Sequence, residues 1–296
     1  VVQAVASKSV TIIEQSSLES SPRVEVEARG KTWGIESWQA TPMVTPAVEL
    51  LQTESSGIHT AVLFPTDGCD EPLPVLLDPY GGPHAQRVLR THNAYLVSQW
   101  FADQGFCVVI ADGPGTPGRG DGWERSVRGD LAHPVLEAQI EALQSVAERH
   151  PDRVDLTRVG IRGWSFGGYL AALAVIRRPD IFHAAIAGAP VTDWELYDTH
   201  YTERYLGHPT EEPDNYRRTS LLVDAGELQR PLLLIHGLAD DNVVAAHTLQ
   251  LSAALLAAGR PHEVLPLSGV THMTSQEQVA ENLLLLQIDF LRRNLQ

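Results

Sequence analysis

Two cysteines, Cys69 and Cys107, are all that 296 residues supply. They cannot build a framework of bridges, so the fold must rest on a hydrophobic core. Cys107 lies in the apolar run from Phe106 to Ala111 and reads as a small buried hydrophobe, whereas Cys69 follows Asp67-Gly68 in a polar loop. Such sparse use fits a reducing compartment. Bases are also short, 22 against 37 acids, for a formal charge of −15. A nucleic-acid binder needs a basic face to release counterions, and here bases cluster only as pairs such as Arg177-Arg178 and Arg217-Arg218. Nucleic acid is excluded as a partner, and the negative field favours cationic ligands such as free peptide amines. No run approaches the roughly 18–20 apolar residues of a membrane span. No basic segment leads into an apolar one as in a signal peptide. The expectation is a cytoplasmic protein with no membrane partner. The chain opens on Val1 rather than Met, and further sequence is expected to precede it.

Metal-binding signatures are missing as well. There is no HExxH, no pair of CxxC motifs and no carboxylate cluster with ligand spacing, so neither metal nor other cofactor is expected. Gly113-Pro-Gly-Thr-Pro-Gly-Arg-Gly looks superficially like a phosphate loop but lacks the Lys-Ser/Thr ending. What the chain does have is 43% hydrophobic and 20% charged residues, ordinary globular composition with enough for a sizeable core.

Residues 1–65 and 66–296 read differently. The first part holds short β-type runs at 10–13, 23–28, 48–52 and 58–64. Arg23-Val-Glu-Val-Glu-Ala alternates as a half-buried antiparallel strand does. From Leu73 onward, strands (74–78, 106–111, 158–163, 184–187, 231–236, 262–267) alternate with helices (93–104, 134–150, 166–177, 248–258, 276–295). That rhythm predicts an α/β fold with a mostly parallel, doubly wound sheet, preceded by a short β-rich segment. Chemistry in such sheets gathers in loops at the strands' carboxyl ends.

Gly163-Trp-Ser-Phe-Gly lies between a strand and a helix, the context that G-x-S-x-G needs in an α/β-hydrolase. The glycines permit a sharp turn that lifts Ser165 above the sheet. A serine hydroxyl is a weak nucleophile without a base. Among twelve histidines, His272 alone lies in the loop after the last strand, where the order Ser, acid, His puts the base. The acid belongs after the strand ending Leu-Ile-His-Gly, which offers Asp240 and Asp241, and periodicity does not choose between them. Asp224 precedes that strand and is disfavoured. The backbone N–H of Phe166 is one oxyanion donor by the mechanics of the motif. A second comes from Tyr80-Gly-Gly-Pro, through either the Tyr80 hydroxyl or a glycine N–H. Tyr197, Tyr201 and Tyr205 recur every four residues, a helical stripe that spacing alone assigns to core.

Several strings together resemble the prolyl oligopeptidase family of serine peptidases, in its dipeptidyl peptidase IV and VIII/IX-like branch. They are Asp78-Pro-Tyr-Gly-Gly-Pro, Gly163-Trp-Ser-Phe-Gly-Gly-Tyr, Ala187-Gly-Ala-Pro-Val-Thr-Asp-Trp, Tyr197-Asp-Thr-His-Tyr-Thr-Glu-Arg-Tyr and His236-Gly-Leu-Ala-Asp-Asp-Asn-Val. The resemblance runs from about residue 70 to the end, and the Tyr-Thr-Glu-Arg-Tyr string is far more specific than G-x-S-x-G. It implies a triad of Ser165, Asp240 and His272, and an oxyanion hole of the Tyr80 hydroxyl with the Phe166 N–H. It implies a proline pocket from Val191, Trp194, Tyr197, Tyr201 and Val243, with Asn242 orienting the substrate's penultimate carbonyl. Tyr205 stays structural.

Two departures stand out: Phe166 replaces a frequent Tyr, and Pro114 replaces a common Arg. The family also carries a β-propeller ahead of the hydrolase, which in dipeptidyl peptidases supplies the acids that grip the substrate amine. This chain is too short to hold it. Residues 1–65 read as the remnant of its last blade plus lead-in strands, and the propeller is expected outside the chain. Homodimers are common in the family and are expected here. The leading expectation is a serine peptidase that acts on peptides through an acyl-enzyme and releases N-terminal X-Pro or X-Ala dipeptides. The alternatives are an oligopeptidase, acylaminoacyl peptidase or esterase without dipeptidyl selectivity, and a catalytically silent interaction module.

Overall fold

A computed structural model describes residues 2–7 and 9–295. The elements in chain order are β1 (Val2–Ala6), β2 (Val10–Gln15), β3 (Arg23–Ala28), β4 (Lys31–Ile35), β5 (Val48–Gln52), β6 (His59–Leu63), β7 (Leu73–Leu77), α1 (Leu96–Asp103), β8 (Cys107–Asp112), α2 (Asp121–Arg125), α3 (His133–Arg149), β9 (Val154–Trp164), α4 (Phe166–Arg177), β10 (Ala184–Gly188), α5 (Thr199–Leu206), α6 (Pro213–Thr219), β11 (Leu232–Gly237), α7 (Ala246–Ala257), β12 (Glu263–Leu267) and α8 (Glu277–Leu295).

Strands β5–β12 form one eight-stranded sheet in the order 12-11-10-9-7-8-6-5. Neighbours from β12 to β8 run parallel, and β6 and β5 close the far edge antiparallel. Successive residues of the central strands feed opposite cores. Val75, Leu77 and Val109 join α3, α4 and α7 on one side. Leu76, Val108 and Ile110 join α1 and α8 on the other. Coverage of both faces explains why β8, β10 and β11 are buried throughout and read as unbroken apolar runs.

Strands β1–β4 form a separate antiparallel meander. The turn read at Gly30-Lys31 is its last hairpin, with Arg29 and Gly30 both at positive φ, and it leads into β4, which the sequence pattern did not predict. Leu18, just past β2, packs against the core formed with α1 and α8. The division expected between residues 65 and 66 passes between β6 and β7, two strands of the same sheet. An alternating pattern reports a half-buried face but not the strand it pairs with, and β6 pairs with β8 far along the chain. Cys107 is buried and Cys69 half-buried, and both are free. Among the described residues, no helix is long and apolar enough to cross a membrane.

Candidate active site

Ser165 occupies the turn between β9 and α4 at φ 59°, ψ −118°. A non-glycine residue held there costs on the order of 1–3 kcal/mol and persists only where its surroundings over-determine it. Here the Ser165 N–H donates to Gly188 O at 2.9 Å, and Ser165 O accepts from the Tyr169 N–H at 2.9 Å. The bend is closed so tightly that a Cβ on Gly163 would lie 2.2 Å from Gly167 O, and one on Gly168 would lie 2.2 Å from Gly188 O. The Ser165 hydroxyl makes no capping bond to α4. Phe166 opens the helix, so its N–H belongs to the first turn that lacks intrahelical partners.

The loops after β11 and β12 are zipped together. Leu238 N–H donates to Leu267 O at 2.9 Å and Ala239 N–H to Val270 O at 3.0 Å. This brings Asp240 to His272. Asp240 Oδ2 accepts from His272 Nδ1 at 2.7 Å, while Oδ1 accepts from the Asn242 and Val243 N–H groups, each at 2.9 Å. A carboxylate so saturated fixes the imidazole with its proton on Nδ1 and leaves Nε2 as the basic atom. Asp241 is exposed, and Asp224 is engaged by Arg177 Nε at 2.7 Å. The choice that periodicity left open therefore falls geometrically on Asp240 as the partner of His272. His236, at the end of β11, braces the same loop. Its Nε2 donates to Val243 O at 2.7 Å, and its Nδ1 accepts from Thr248 Oγ1 at 2.6 Å. Burial pushes its pKa down.

Tyr80 leaves the end of β7, and its ring centroid lies 5.8 Å from that of Phe166. Burial, with the Tyr197 and Tyr205 phenols adding, pushes its pKa up to about 12. The phenol therefore stays neutral and able to donate. Beyond it stands an aromatic wall. Tyr201 stacks on Trp194 at 5.9 Å and 6°, and Tyr197 meets both edge-on. Trp194, Val191 and Val243 are almost fully buried, at 1%, 2% and 0% exposure, so they back the two tyrosines rather than face solvent. Tyr197 Oη donates to Asn242 Oδ1 at 3.2 Å, a bond that does not use the Asn242 amide N–H groups.

Sequence reasoning missed two parts of this region. His84, at φ 79°, sets its ring 5.0 Å from that of Tyr201 and shares a 3.0 Å hydrogen bond with Tyr205 Oη. Its position directly after Tyr80-Gly-Gly-Pro was the available signal. The second part is a buried charge cluster at Asp78 and Arg162. A charged residue inside an otherwise apolar strand could have revealed it. Among the described residues, no group of three or more His, Cys, Asp or Glu is arranged to hold a metal.

Residues 92–296 match the model of the Prolyl oligopeptidase family. The chain belongs to that family. Its similarities fall in the dipeptidyl peptidase IV-like branch. It is 39% identical over 227 residues to human Dipeptidyl peptidase 8, covering 75% of this chain and 25% of that protein. Against human Prolyl endopeptidase FAP it is 34% identical over 203 residues, covering 68% of this chain and 26% of that protein. The solved dipeptidyl peptidase 4 of Porphyromonas gingivalis superposes with a TM-score of 0.88 at 29% identity, over 99% of this chain and 43% of the other. A putative dipeptidyl aminopeptidase IV from Bacteroides ovatus gives 0.89 at 25% identity, over 100% and 43%. The chain thus spans about a quarter of the curated relatives' length. Its α/β-hydrolase fold, with an additional β-rich N-terminal sheet, is that of these neighbours.

Proposed function

We propose that this chain is the catalytic part of a serine peptidase that releases X-Pro or X-Ala dipeptides from peptide N-termini. The observation that carries the catalytic reading is the 2.7 Å pair of Asp240 and His272, reached in the chain order that the Ser165 elbow requires. Ser165 Oγ attacks the scissile carbonyl while His272 Nε2 takes the hydroxyl proton. The Phe166 N–H and the Tyr80 O–H receive the charge that develops on oxygen. His272 then returns the proton to the departing amine as the C–N bond breaks, leaving an acyl-enzyme. Water deprotonated by His272 hydrolyses that ester and restores Ser165. Asp240 holds the imidazolium through its Nδ1–H throughout.

The edge-on pair Tyr197 and Tyr201, backed by Trp194, Val191 and Val243, forms a slot that suits the flat ring of proline. Asn242 has its amide N–H groups free to meet a substrate carbonyl. The dipeptidyl part of the reading is supported by the likeness to Dipeptidyl peptidase 8 and to a solved dipeptidyl peptidase 4. We further propose that β1–β4 is the last blade of a β-propeller outside this chain, that the propeller supplies the acids for the substrate amine, and that the assembled protein is a homodimer. A cytoplasmic setting is part of the proposal, in keeping with the two free cysteines.

The test is hydrolysis of free-amine Gly-Pro, N-blocked Gly-Pro and a simple acyl ester, with Ser165→Ala as control. Turnover lost in Ser165→Ala supports the triad, and preference for the free amine supports dipeptidyl release. Ester cleavage with no such preference would reduce the reading to a general hydrolase. A folded protein that neither turns over nor reacts with a serine-directed phosphonate would overturn it.

A further inference from the structure

Below the oxyanion region lies a charge cluster that the proposed chemistry does not use. Asp78, 2% exposed, follows the last residue of β7. Its N–H makes the closing ladder bond to Val109 O at 2.9 Å. Pro79 follows with no N–H to offer, so the chain leaves the sheet at Tyr80. On the neighbouring strand Arg162 precedes Ser165 by three residues. Leu77 and Ile161 are register partners, which makes Asp78 and Arg162 the next pair across, just before both loops depart.

The side chains complete that rung. Arg162 Nη1 donates to Asp78 Oδ1 at 2.9 Å. Arg87 Nη2 and Ser98 Oγ both donate to Oδ2 at 2.9 Å. Arg162 Nε reaches Gln287 of α8 at 3.1 Å, and its guanidinium lies 4.5 Å from the Phe101 ring centroid of α1. Asp112, 1% exposed, accepts from the Arg87 and Val88 N–H groups at 2.9 and 2.8 Å. Two acids and two arginines thus balance inside the fold. Burial pushes Asp78 up, but Arg162 and Arg87 outweigh it and hold it below the usual carboxylate range. Such a cluster is a weak stabiliser, since well-packed apolar side chains of the same volume do as well or better. What charged, directional bonds add is a fixed geometry.

We infer that the buried Asp78–Arg162 pair positions the oxyanion site, locking the stem of the Tyr80 loop to the stem of the Ser165 elbow. This rests on the reading of Tyr80 and Ser165 given above. Neither residue touches substrate, and both act through Tyr80. Asp78 lies two residues before Tyr80 and Arg162 three before Ser165, so a shift at this rung is transmitted to the hydroxyl with little slack.

The test is labelling of Ser165 by a dipeptidyl diphenyl phosphonate, resolved into kinact and KI. It is run on the protein and on Arg162→Lys, each with Tyr80 and with Tyr80→Phe. Lysine keeps the charge but cannot bond Asp78 and Gln287 together. With Tyr80 present, kinact is expected to fall roughly tenfold to hundredfold, the scale of a small misplacement at a reacting centre. KI is expected to stay within about threefold, since ground-state binding is untouched. With Tyr80→Phe, the further loss is expected to shrink below about threefold, because coupled residues are non-additive. An unchanged kinact, or the same fold-loss in both backgrounds, would overturn the positioning role. Should Arg162→Lys not fold, Asp78→Asn is put through the same four-way comparison. Failure of the unsubstituted protein to label at Ser165 would overturn the site reading instead, and the proposal with it.

Discussion

The indole N–H of Trp164 donates to the backbone carbonyl of His272 at 2.7 Å. Trp164 ends β9 and immediately precedes Ser165, so the histidine loop hangs from the strand that delivers the serine. The indole itself is seated on Gly188, where a Cβ would lie 2.0 Å from Trp164 Cε3. His272 is therefore fixed twice, through its ring by Asp240 and through its backbone by the neighbour of Ser165.

The two adjacent acids should separate cleanly. Asp240→Asn presents an amide N–H to one ring nitrogen and upsets the tautomer, and kcat should fall about 10⁴-fold with the fold intact. Asp241→Asn, at an exposed position, should change kcat by less than about twofold. Steady-state kinetics on one Gly-Pro substrate decides. Equal losses would refute Asp240 as the acid.

Tyr80→Phe removes a single proposed oxyanion donor and should lower kcat about 10²- to 10³-fold with little change in KM. The phenol donates only while neutral. Because its pKa is pushed up to about 12, Tyr80 ionisation should not limit kcat below about pH 10. A kcat–pH profile that loses activity near pH 9, with the loss absent in Tyr80→Phe, would contradict this.

Ser165 holds its place on the elbow at a cost in backbone strain. Ser165→Ala and Ser165→Gly should both abolish phosphonate labelling, but glycine accepts φ 59° without the Cβ penalty. Ser165→Gly should be the more stable of the two by about 1 kcal/mol. Urea midpoints of the two inactive proteins measure it, and alanine proving the more stable would remove the strain argument.

The elbow was legible because two local patterns meet there, an apolar strand and an apolar helix joined by glycines. His272, which the structure pairs with Asp240, was reached from chain order alone. The choice of Asp240 over Asp241 was not legible bottom-up, because both precede a loop whose shape depends on β12. Nor was the alliance of β5 and β6 with the large sheet, since pairing with β8 is a non-local contact that alternation does not encode. Lys31-Thr-Trp-Gly-Ile gave no strand signal, because Gly34 interrupts the alternation. Asp78 and Arg162 were passed over because a charge in or beside an apolar strand names no partner until the register pairs Leu77 with Ile161.

His247, fully buried, accepts the Thr192 N–H on Nδ1 at 3.2 Å. Burial, with His236 adding, pushes its pKa down to about 4. Near pH 7 it is neutral both folded and unfolded. As pH falls through about 6.5 the unfolded chain takes up a proton that the folded one refuses, so stability drops until about pH 4. The fall from 6.5 to about 4 corresponds to about 3 kcal/mol. His236, shifted the same way by burial, adds to the slope. Urea unfolding at pH 7 and pH 4.5 should show the loss, and His247→Gln, which can still accept from Thr192, should reduce it. A slope equal to that of the unsubstituted protein would assign it elsewhere.

Between β4 and β5 the chain crosses from one sheet to the other through residues 36–47, which form neither helix nor strand. Trp38 and Met43 stand out from it at 93% and 102% exposure. A protease that favours large apolar side chains meets these two first. A single nick there cuts the covalent link between the meander and a fragment that retains every strand of the large sheet. The boundary a proteolytic digest draws across this protein therefore lies ahead of β5, and the part behind it keeps Tyr80, Ser165, Asp240 and His272 in one piece.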